Sequence, residues 1–188
     1  MERLEYDSVR NRIADGDLLL FRPTSLLGRW IASVTRTRYS HAGLAVWWGR
    51  DSLMLVDMVF TGGRAVTLSS QVERYPGRID WFRANPDHRH SWNRQATVEA
   101  MIRRAGTPYG FRGLLRQTLS YSFLTRWLVR PSFDDGNGSF SPGESCSQAV
   151  AGAYRAGGVD SVLGLGDAWT TPGDLSHSMF FEEQGMLA

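Results

Sequence analysis

The sequence predicts one domain of mixed α and β structure, with strands gathered in its first half and helices in its second. Three observations lead there. Apolar runs of strand length lie between residues 17 and 82, two of them joined by a tight turn. Helical spacing of apolar residues takes over after residue 92. A single cysteine stands at the opening of the last clear helical stretch.

Length and composition bound the problem. At 188 residues the chain suits one domain and can bury a real core. Its 42% hydrophobic and 21% charged residues are those of an ordinary globular protein, which excludes disorder and collagen-like repetition. All 21 basic residues are arginine, a bias that favours carboxylate and phosphate contacts over titratable amines. The net charge of +2, with the arginines scattered, gives no footprint for nucleic acid. One cysteine excludes an intramolecular disulfide and a multi-cysteine zinc site. Met1–Asp7 carries acidic residues and no apolar core of a signal peptide, and no stretch has the length to span a bilayer. A cytoplasmic protein is the expectation, with export by another route left open.

Asp17–Phe21 reads as a buried strand set off by Asp15-Gly16 and Pro23. Ser25–Val34 carries Leu26, Leu27, Trp30, Ile31 and Val34 at helical spacing, with Ser25 or Thr24 as cap. Ala42–Trp48 and Leu53–Val59 form a β-hairpin about Gly49-Arg50-Asp51. Weaker strands follow near Ala65–Ser69 and Ile79–Phe82, then a polar loop holding His88 and His90. A helix is expected over Trp92–Ala105, with Ala96, Val98, Met101 and Ile102 as its stripe and a stop at Gly106 before Pro108. A second helix is expected over Gly113–Arg130, ended by Pro131, and a loop over Phe133–Gly143. Ser141-Pro142-Gly143-Glu144 has the capping-box pattern, and the helix behind it carries Cys146, Ala149, Val150 and Ala153 on one face until Gly157-Gly158.

Cys146 is the first candidate for chemistry. The opening turns of a helix hold unpaired N–H groups and the positive end of its dipole. Both favour thiolate, the nucleophilic form. The competing account is a small buried hydrophobe. Of the four histidines, His88, His90 and His177 lie in polar surroundings suited to solvent, whereas His41 opens an apolar strand. Asp57 interrupts Leu53–Val59, where an unpartnered carboxylate is costly to bury. Folding the hairpin sets Asp57 opposite Gly43, on the face His41 also uses, within diagonal reach of the imidazole. There it would fix the tautomer and stabilise the imidazolium. The alternative is an edge strand with Asp57 facing solvent.

Together these pieces resemble the circularly permuted branch of the NlpC/P60 superfamily, with the YiiX-like (DUF830-like) cysteine hydrolases nearest. The matching stretches are Gly16–Phe21, Ser40-His41-Ala42-Gly43-Leu44, Asp57 and Gly106-Thr107-Pro108-Tyr109-Gly110. Glu144-Ser145-Cys146-Ser147-Gln148 with Tyr154 and Gly157, and Thr171–Leu175, complete the set. The resemblance implies an α+β, papain-like fold, circularly permuted, in which an antiparallel sheet packs against the helix bearing the cysteine. It implies one domain over residues 1–188, with a helical insertion or lid around 112–143. It implies Cys146 as nucleophile, His41 as base and Asp57 as orienting residue, with Tyr109, Ser145 and Ser147 at the substrate pocket. Asp57 departs from the glutamate frequent at that position.

The activity so implied is amide hydrolysis through a thioester, on cell-wall-type peptides with γ-glutamyl or D-amino-acid bonds. A lipid-directed thiol acyltransferase or acyl hydrolase is the alternative, with Leu119–Val129 as an apolar run for a membrane surface. A non-catalytic module that kept the fold is the third reading. The chemistry needs no metal or organic cofactor. The expected partner is a small peptide or acyl-amide substrate and not nucleic acid; contact with a membrane surface and the oligomeric state are left open.

Overall fold

The computed structural model describes residues 2–34, 36–88, 91–108 and 144–188. The expected second helix, the Phe133–Gly143 loop, the lid around 112–143 and Leu119–Val129 lie outside them. The described residues form an α+β fold: a mixed seven-stranded sheet with six α-helices. The strands are β1 (Arg3–Leu4), β2 (Leu18–Phe21), β3 (His41–Trp48), β4 (Ser52–Val59), β5 (Gly62–Thr67), β6 (Ile79–Ala84) and β7 (Phe181–Leu187). Their order is β1-β7-β6-β2-β3-β4-β5. Only β1 and β7 run parallel; the other neighbours are antiparallel. The helices are α1 (Tyr6–Val9), α2 (Leu26–Val34), α3 (Leu68–Arg74), α4 (Arg94–Ile102), α5 (Cys146–Ala156) and α6 (Pro172–His177).

Strand β2 sits mid-sheet because all four of its residues are apolar and both faces are covered. Leu18 and Leu20 join one core with β3, β4 and α5, while Leu19 and Phe21 join a second beneath α1 and α3. Helix α5 buries Cys146, Ala149, Val150 and Ala153, its predicted stripe, with Tyr154 beside them. The small side chains let the helix lie close on the sheet. Tyr154 donates its hydroxyl to the Gly16 carbonyl, tying the helix to the turn before β2.

Several local expectations shift. Helix α5 begins at Cys146 with Ser145 as its cap, and the capping box is Ser145 with Gln148. Glu144 cannot serve the box predicted from Ser141: its carboxylate is buried against Arg104. The weak strand near Ala65–Ser69 ends at Thr67, and α3 follows, because Leu68 and Val72, one turn apart, both enter the second core. Helix α4 starts at Arg94 under an Asn93 cap that accepts from the Ala96 N–H at 3.1 Å. Its buried face is Thr97, Ala100 and Met101, and Ile102 is exposed. In α2 the cap is Ser25, whose hydroxyl accepts from the Gly28 N–H at 3.0 Å, and Leu26 and Trp30 face solvent. No helix among the described residues is long and apolar enough to cross a membrane.

Candidate active site

Three adjacent strands and one helix build the site. The turn at residues 49–51 is short, so the register of the β3–β4 hairpin pairs Gly43 with Asp57. The next hairpin, through Phe60-Thr61, pairs Asp57 with Arg64. A side chain on Gly43 would not fit: its Cβ would lie 2.6 Å from Leu55 Cδ1 and 2.9 Å from Asp57 Cβ. The bare glycine is what lets Asp57 lean across β3 toward His41. The His-x-Gly spacing therefore has a steric reason.

Asp57 is fully buried and carries its charge among three N–H donors. His41 Nε2 lies 2.7 Å from Oδ2. The Arg64 fork donates Nε–H to Oδ1 at 2.8 Å and Nη2–H to Oδ2 at 3.1 Å. Burial alone would push this carboxyl up; the bonds and charges of His41, then Arg64, hold it below the ordinary carboxylate range. The His41 ring is steadied on its other side by Phe21, edge-on at 5.3 Å between centroids. Those two residues are register partners across β2 and β3.

Cys146 is the first residue of α5, and the helix packs across β3, which brings the thiol to His41. With Nε2 committed to Asp57, Nδ1 is the nitrogen left for sulfur. Burial pushes the thiol up, but the His41 charge and hydrogen bond, with the backbone groups of Ala42 and Ser147, bring it below the ordinary thiol value. Burial likewise opposes a charged imidazole, yet the Cys146 charge and the bonds to Asp57 and Cys146 raise His41 to about 10. Each charge supports the other, and the pair favours thiolate with imidazolium.

A cleft of about 220 Å³ opens over Cys146 and His41. Phe21, Met58, Val59, Phe60 and Tyr75 give it a largely apolar wall, and Arg64 edges it. Ser145 and Ser147, expected at the pocket, are buried and do not line this cleft. Ser145 caps α5, and Ser147 donates its hydroxyl to the Thr170 carbonyl at 2.6 Å; both hold the helix in place. Tyr109 and His90 lie outside the described residues, and His88 is exposed. His177 is exposed, as expected, with Nδ1 on the Gly173 carbonyl at 2.9 Å. Arg64 and Phe21 are the members of the site that the sequence reading passed over. Carrying the hairpin register through the second turn would have found Arg64.

No family model matches the chain, and no curated protein matches it. Among solved structures it is similar to the crystal structure of metalloprotein yiiX from Escherichia coli O157:H7, DUF1105, with a TM-score of 0.63 at 14% identity. The fold is YiiX-like. The likeness extends over 93% of this chain and 97% of that one. At such identity it speaks to architecture, and the chemistry has to be argued from this chain's own residues. Among those described, no group of three or more His, Cys, Asp and Glu side chains is arranged to hold a metal ion.

Proposed function

We propose that this protein is a cysteine-dependent amide hydrolase of the circularly permuted, papain-like NlpC/P60 kind, acting on cell-wall-type peptides with γ-glutamyl or D-amino-acid bonds. The observation that carries the reading is the relay Cys146–His41–Asp57, in which a thiol at a helix start faces an imidazole whose far nitrogen is 2.7 Å from a buried carboxylate. The YiiX-like fold supports it, since the sheet brings the histidine and the helix brings the cysteine.

The chemistry follows from the geometry. The Cys146 thiolate attacks the amide carbonyl carbon, and the C=O electrons move to oxygen. N–H groups of the first turn of α5 stabilise that oxyanion. The His41 imidazolium then gives its proton to the leaving nitrogen as the C–N bond breaks, leaving a thioester. Neutral His41 next takes a proton from water, which attacks the thioester and releases a carboxylic acid and the thiol. Asp57 keeps the imidazole in one tautomer and balances its charge in both steps.

The metal in the description of the E. coli protein finds no matching donor set at this relay. Arg64 already binds both Asp57 oxygens, and its guanidinium would repel a cation there. A second reading, transfer or hydrolysis of lipid acyl groups through the same thioester, is favoured by the apolar cleft wall. Muropeptides incubated with wild type and Cys146→Ala separate the readings. Fragments released by wild type alone support peptide hydrolysis. Equal inactivity of both, with acylation of Cys146 by fatty acyl esters in wild type, favours the lipid reading.

A further inference from the structure

We propose that Arg64 is a positioning residue of this site: its guanidinium fork holds Asp57 in the orientation that meets His41, and through them it sets the reactivity of Cys146. This rests on the relay proposed above and extends it by a fourth member.

The argument begins with the cost of Asp57. Its side chain is fully out of solvent, where a lone carboxylate is expensive. His41 uses only Oδ2. Without Arg64, Oδ1 would lose the one partner it has among the described residues. Asp57 would then either take a proton or turn its oxygens, and both weaken the anion that His41 needs. Arg64 is well built to prevent this. It stands in register across from Asp57 on β5, and its two bonds run in the fork geometry that fixes a carboxylate plane. Gln71 Oε1 on α3 accepts from Arg64 Nη2 at 3.4 Å and helps to hold the fork.

The charged and titratable groups around the relay come from every neighbouring element. From β3 comes His41, from β4 Asp57, from β5 Arg64, from α5 Cys146, and from the end of α3 Tyr75, which interacts with Arg64. Arg22, at the end of β2, is engaged by Asp80, and Glu144, before α5, by Arg104. Among the described residues, Arg64 is thus the second cation that faces Asp57, beside the His41 imidazolium. Direct repulsion between Arg64 and the imidazolium acts the other way, so the two effects predict opposite shifts.

The test is the rate at which iodoacetamide alkylates Cys146 against pH, in wild type, Arg64→Ala, Arg64→Gln and Arg64→Lys, with thermal unfolding followed on each. The expected result is a low-pH edge of labelling in Arg64→Ala that lies higher than in wild type by about one pH unit. Arg64→Lys recovers part of that shift, because one charged donor returns, and Arg64→Gln recovers less. An edge that stays where wild type has it, or moves lower, overturns the inference, including when the variants unfold earlier; that pattern means Arg64 only stabilises the sheet. If wild type itself labels like an ordinary thiol, the relay fails, and that result is separate from anything the Arg64 variants show.

Discussion

Gly43 and Asp57 are register partners on β3 and β4, and a Cβ on Gly43 would lie 2.9 Å from the Asp57 Cβ and 3.0 Å from the Val56 carbonyl oxygen. The second neighbour is backbone, which cannot step aside as a side-chain tip can. Gly43→Ala is therefore expected to destabilise the protein by about 1–3 kcal/mol, the usual cost of overpacking. It should also cut hydrolysis by more than that loss explains, because Asp57 is pushed off His41. Urea unfolding beside kcat on the variant checks both parts; unchanged kcat would separate Gly43 from the site.

Thiol reactivity reports on the Cys146–His41 pair. The thiol is held below its ordinary value and His41 is raised to about 10, so the ion pair spans the pH interval between those limits. Alkylation of Cys146 in wild type should rise at a pH below the ordinary thiol range. In His41→Ala the curve should move up to the free-thiol value of about 8.5. Superimposable curves for the two proteins would contradict the pair.

Turnover carries the other limb of the same titration. The leaving nitrogen needs the imidazolium proton, and a group with a raised value keeps its proton until the pH passes that value. The kcat/KM for amide hydrolysis, which reports the free enzyme, should hold through mild alkali and fall as the pH rises through about 10. An initial-rate profile on an amide substrate gives the answer, and a decline centred near 6.5, the ordinary histidine value, would oppose it.

Asp57→Asn keeps the shape and removes the charge. Its amide can present an N–H to His41 Nε2 and hold the wrong tautomer, so kcat should drop by about two to four orders of magnitude. Arg64, left facing an amide, loses its ionic partner; because it is partly exposed, the loss of stability should stay near 1 kcal/mol. Single-turnover acylation alongside calorimetry distinguishes a catalytic loss from an unfolded site.

Arg104 and Glu144 form a pair with only 3% of each side chain exposed, 2.5 Å apart, and Glu144 stands two residues before Cys146. Replacing one member breaks a buried ion pair, at a cost of up to about 3–5 kcal/mol. Glu144→Gln should lower the midpoint of chemical unfolding accordingly. It should also slow acylation, since Glu144 anchors the approach to the first turn of α5.

The sequence by itself determined the parts of this protein that depend on near neighbours. Turn residues 49–51 set the hairpin register, and the register put Asp57 opposite Gly43 and within reach of His41. Apolar spacing showed α5 with Cys146 at its opening. These are short-range matters, fixed by turn length and periodicity. The tertiary structure decided the rest. Helix α5 lies about a hundred residues beyond β3, and only its close packing on the sheet brings Cys146 to His41. Helix α5 starts at Cys146 behind the Ser145 cap, and Glu144, just before it, is paired with Arg104, a residue distant in sequence. Arg64 needed the pairing of one further strand. The weak strand expected near Ala65–Ser69 left Arg64 outside; the strand begins at Gly62, and its pairing with β4 sets the arginine against a buried carboxylate. Burial gives each of these charges its meaning, and burial is a property of the packed sheet, which no local window contains.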